Sequence, residues 1–123
     1  MNKRKVENYM SKAIEILRQK FKDKPIPREF RGYISQFGAS IIQSGLMPAV
    51  AFFQNSNSES KKERPFIIKA IFKIIDEEKS NKGSLLEYID KYEDKEYIKE
   101  DILNAAIALK LVLKSFDFEK STN

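Results

Sequence analysis

The chain contains no cysteine, no histidine and no tryptophan, and only four glycines and four prolines. Without cysteine there is no disulfide, no thiolate nucleophile and no sulfur ligand for a metal. Without histidine the usual general base near neutral pH is missing as well. Only carboxylates, hydroxyls and amines are left to do chemistry. The composition suits a reducing, cytoplasmic setting. So few glycines and prolines leave few turns for an all-β design, and an all-helical protein is the default.

Long apolar runs are also lacking. In "MNKRKVENYMSKAIEILRQKF" charges recur every few positions, which excludes both the apolar centre of a signal peptide and a membrane span. No phosphate-cradling GxxxxGK[ST] loop is present, and Gly32, Gly38, Gly45 and Gly83 are wrongly spaced for one. No nucleotide, metal or other cofactor is expected.

At 123 residues the chain has the size of one domain, able to bury roughly two thirds of its unfolded surface. Besides the polar segment "NSNSES", flexibility is expected in the first few residues and in a tail from about residue 118. The net charge of +5 is unevenly placed. Residues 1–34 carry ten Lys or Arg against four acids, whereas residues 61–123 carry 13 of each sign. The positive field therefore belongs to the first third, and it points to a polyanion, an acidic protein face or an anionic surface.

Apolar spacing organises the rest. Val6, Met10, Ala13, Leu17 and Phe21 step by 4, 3, 4 and 4, predicting a helix over about 2–22 that Pro25 and Pro27 stop. Phe30, Ile34, Phe37 and Ile41 predict a second helix, in which Gly32 and Gly38 suggest close packing of another backbone. A corner follows at Ser44-Gly45-Leu46, with Gly45 as the left-handed residue and Pro48 in the first turn of the next helix. "NSNSES" reads as a loop. A further helix should begin near Pro65 and end at "NKG", with Gly83 in the turn; Ser84 and Glu87 then have the spacing of a capping box. Ile98, Ile102, Ala105, Leu109, Val112 and Phe116 make the last helix. Five or six helices in a compact antiparallel all-α bundle are expected.

Three acid groups, Asp76-Glu77-Glu78, Glu93-Asp94 and Glu100-Asp101, read as solvated helix ends and faces rather than a metal site. The tyrosines Tyr9, Tyr33, Tyr88, Tyr92 and Tyr97 suit bundle edges, with ring buried and hydroxyl wet. The stronger signal is basic: Arg18, Lys20, Lys22, Lys24, Arg28 and Arg31, joined by Lys110 and Lys114 from the last helix. Arginine counts most there, since a guanidinium grips phosphate with two donors. From Gly32 to Ser58 no charged residue occurs, a silence explained most simply by burial.

The centre, "YISQFGASIIQSGLMPAVAFFQ", resembles the signature of the small helical subunit of the type III-B (Cmr) CRISPR effector. Tyr33, Ser35, Ile41 or Ile42, Ser44, Gly45, Leu46, Ala49, Ala51 and Phe52 carry the resemblance. The family's last helix often closes in a Trp-Leu-Lys-Arg-Phe-Ala-like run, and this chain has Val112-Leu113-Lys114-Ser115-Phe116-Asp117. The Trp, one basic residue and the final Ala are lost.

The resemblance implies a non-catalytic subunit of an antiviral ribonucleoprotein. Its partners would be the other subunits of that effector, further copies of itself, and guide and target RNA in the assembled complex. Guide–target pairing would read sequence, leaving this chain sequence-neutral contacts to phosphate. A different reading of the same charge is a stand-alone helical adaptor that docks an acidic protein or an anionic surface.

Overall fold

The computed structural model describes residues 1–55 and 63–116. Most of the loop expected over 55–60, and the tail from about 118, lie outside the described residues. The protein is all-α, and the described residues form seven helices: α1 (Lys3–Phe21), α2 (Glu29–Ser44), α3 (Leu46–Gln54), α4 (Glu63–Ile75), α5 (Glu77–Ser80), α6 (Leu85–Lys91) and α7 (Lys95–Leu113). One more helix than expected arises because "KKERPFIIKAIFKIIDEEK" breaks at Asp76. Its side chain accepts from the Lys79 N–H and starts the single turn of α5.

Local capping sets most boundaries. Asn2, Ser84 and Asp94 begin α1, α6 and α7 by accepting from the N–H groups of Lys5, Glu87 and Tyr97 at 3.1, 3.2 and 3.0 Å. The end of α1 departs from the proline account. Lys22 (φ 45°) and Asp23 (φ 70°) are both left-handed and turn the chain before Pro25 is reached, with the Lys22 N–H on the Arg18 carbonyl at 2.9 Å. Left-handed backbone is unfavourable for residues other than glycine by about 1–2 kcal/mol. Lys22→Gly should therefore raise unfolding stability by up to about 1 kcal/mol. A denaturant midpoint that stays or falls contradicts this account of the helix end.

The core gathers apolar residues from α1 to α4, α6 and α7, with Ile26 of the α1–α2 connector fully enclosed. α1 and α4 run antiparallel: Lys12 Nζ donates to the Ile74 carbonyl, while Lys20 lies over the Phe66 ring. Across the α2–α3 corner, Phe37 and Phe53 meet with ring centres 5.2 Å apart.

Glycine has a different role from the one expected in α2. A Cβ added at Gly32 or Gly38 would meet nothing within 4 Å, so no backbone packs against either. Gly83 does not adopt positive φ; Gly45 alone of the glycines does.

α1 and α7 are joined by a polar cluster around Asp101, which is 7% exposed. This corrects its assignment to a solvated face. Its Oδ1 accepts from Lys5 Nζ and from the Tyr9 hydroxyl, each at 2.7 Å. Lys5 also donates to the Tyr97 hydroxyl at 2.8 Å. The bond to Asp101 holds Lys5 above the ordinary lysine pKa. Burial, then the same carboxylate, pushes the Tyr9 phenol up.

Both groups keep their protons to higher pH folded than unfolded. Their stabilisation is complete below the ordinary tyrosine value of 10.0 and is lost as pH rises through the folded values. Thermal midpoints should drop above that pH, and less steeply in Tyr9→Phe. An equally steep drop in the variant contradicts the linkage.

Candidate nucleic-acid interface

Arg18 and Lys20 occupy the last turn of α1, Lys22 and Lys24 the connector, and Arg28 and Arg31 the entry to α2; all six are exposed. The fold gathers them because Phe21 at the end of α1 meets Phe30 at the start of α2 edge to face, centres 5.5 Å apart. Phe66 of α4 packs against both, at 6.1 and 5.6 Å. Ile26 pins the connector between them into the core. The basic stretch is thus a surface ridge with a rigid aromatic base. Rigid support lowers the entropy cost of presenting charges to a ligand.

Three ion pairs join described residues: Lys5–Asp101, Lys73–Glu77 and Lys82–Glu78. Arg18, Lys20, Lys22, Lys24 and Arg28 take part in none of them. Lys110 and Lys114 are also exposed, near the C-terminal end of α7. α7 packs on α1 and α2, but among the described residues no hydrogen bond or ion pair joins its two lysines to the ridge.

The tyrosines are used within the protein. Tyr88 packs on Phe72 and Tyr92 at 5.0 and 5.7 Å, and Tyr92 lies parallel to Tyr97 at 6.2 Å. Among the described residues no three acids gather as a metal site, and no helix is long and apolar enough to cross a membrane.

One arrangement had no counterpart in the sequence pattern. Arg64 is buried, its guanidinium 4.8, 5.3 and 5.6 Å from the ring centres of Tyr33, Phe52 and Phe53. Gln36 Oε1 accepts from its Nη2 at 3.4 Å, and among the described residues its Nε has no hydrogen-bond partner. Aromatic faces therefore take the place of a carboxylate. A signal does exist: Arg64 lies three residues before Ile67 and four before Ile68, on the buried stripe of α4.

The charge-free run is not explained by burial alone. Ile41, Val50 and Phe53 are enclosed, yet Ser35, Ala39, Gln43, Ile42 (76% exposed) and Phe52 (62% exposed) face solvent. An uncharged outer face on a protein so rich in charge suits contact with another macromolecule.

Fold and surface together define a small all-helical protein with a basic ridge on one segment and an uncharged face on the next. The family model of the CRISPR-associated protein Cas_Cmr5 matches residues 2–115, and the chain belongs to that family, the small subunit of the type III-B (Cmr) CRISPR complex. Membership places it in that complex and implies association with the complex's other subunits. The family is a non-catalytic small subunit. No curated protein and no solved structure matches the chain.

Proposed function

We propose that this chain is a non-catalytic subunit of a cytoplasmic, RNA-guided, RNA-targeting complex in antiviral defence, stacking in several copies and lining the target-RNA path. The observation that carries the RNA contact is the exposed ridge from Arg18 to Arg31, whose Arg18, Lys22, Lys24 and Arg28 make no ion pair with any described residue. Open cations on a firm base suit a phosphate backbone whose sequence is read elsewhere by base pairing. Lys110 and Lys114 belong to the same proposal as further phosphate contacts from α7. The uncharged face of α2 and α3 supports contact with neighbouring copies or larger subunits.

Ile42→Asp tests that second contact. An exposed substitution should change unfolding stability by less than about 0.5 kcal/mol, while recovery of the chain in the assembled particle falls at least about fivefold, an interface-residue effect. Full recovery contradicts the docking role. The adaptor reading shares the basic ridge but predicts a small RNA-free complex on copurification. A large particle containing guide RNA decides against it.

A further inference from the structure

Beside the ridge lies a concavity of about 430 Å³. Phe30, 2% exposed, forms its floor, and the partly buried Phe21 and Phe66 rise from it, held edge to face. Pro27 and Pro65 add two further flat apolar rings to the lining. At the rim stand Lys20, whose Nζ is 5.1 Å from the centre of the Phe66 ring, and Lys69. Glu63 also lines the space.

We infer that this concavity receives one unpaired nucleobase of a single-stranded RNA whose phosphates lie on the ridge. The inference rests on the proposed RNA contact and assigns it a base site. Flat apolar walls fit the faces of a planar base, and aromatic contact of this kind adds affinity whatever the sequence. Lys20 and Lys69 at the mouth meet the phosphates on either side.

The test uses the full chain at low ionic strength, with fluorescently labelled oligocytidine, oligouridine and an abasic ribose-phosphate oligomer of equal length. Oligocytidine and oligouridine are each expected to bind roughly tenfold or more tighter than the abasic oligomer. Phe66→Leu, which keeps an apolar wall but loses the ring, should bring oligocytidine to the abasic level and leave abasic binding unchanged.

Equal binding of oligocytidine and the abasic oligomer overturns the base site. If Arg28→Glu then still weakens both, the phosphate ridge stands alone. If no oligomer binds, ridge and base site fall together. If Phe66→Leu melts normally but blocks assembly with the other subunits while leaving oligocytidine binding intact, the occupant is a protein side chain and the base site is wrong.

Discussion

Reversing Arg18, Lys24 and Arg28 to glutamate lowers target-RNA capture by the assembled complex at least about tenfold, since each single-strand phosphate contact contributes about −0.7 to the log-log salt slope. Without these three cations on the phosphates, the slope becomes shallower by about 2. All three side chains are exposed and form no ion pair with a described residue. Their reversal removes no fold contact of that kind, and the melting temperature of the free chain should scarcely move. Filter binding of labelled target RNA across a salt series reads both quantities. Unchanged affinity with an unchanged slope would place the RNA on another face. A collapsed melting temperature would show that the ridge serves the fold.

Gly45→Val costs about 2–3 kcal/mol of unfolding stability, because Gly45 sits at φ 97° and ψ 162°, backbone that residues with a Cβ avoid. Two helices meet at this residue. Its N–H donates to the Ile41 carbonyl at 3.0 Å and its carbonyl accepts from the Ala49 N–H at 3.2 Å. Space is not the constraint, for an added Cβ would meet only Pro48 Cδ, at an ordinary 3.7 Å. Gly45→Ala should therefore cost nearly as much as Gly45→Val. Urea denaturation of the two variants separates backbone strain from crowding. A loss below about 0.5 kcal/mol in both, the range of neutral surface changes, contradicts the corner.

The helix α7 shows what apolar spacing resolves: Ile98, Ile102, Ala105, Leu109 and Val112 are all buried, at the spacing the sequence sets. The same spacing hid two residues. Asp101 and Arg64 lie on buried stripes, but carboxylates and guanidinium groups are so often exposed that residue type outweighs position. Their partners, Lys5 and Tyr9 for one and Tyr33, Phe52 and Phe53 for the other, come from distant segments that no local pattern links.

The end of α1 differs from its expected cause for a related reason. Prolines are visible in a sequence, whereas left-handed lysine and aspartate are not. Phe53 lies in the core, whereas its neighbour Phe52 is exposed. The silence in charge, by contrast, covers an exposed face as well as a buried one. The basic ridge was legible because charge density is read directly from composition. The concavity beside it was not, because Phe21, Phe30 and Phe66 come from three different helices.

The proposed role stands most directly on where target RNA touches this chain. Ultraviolet crosslinking of target RNA in the assembled complex, followed by mass spectrometry of the chain, should place crosslinked peptides between Arg18 and Arg31. Crosslinks confined to α5 and α6, or to the uncharged face of α2 and α3, would contradict it.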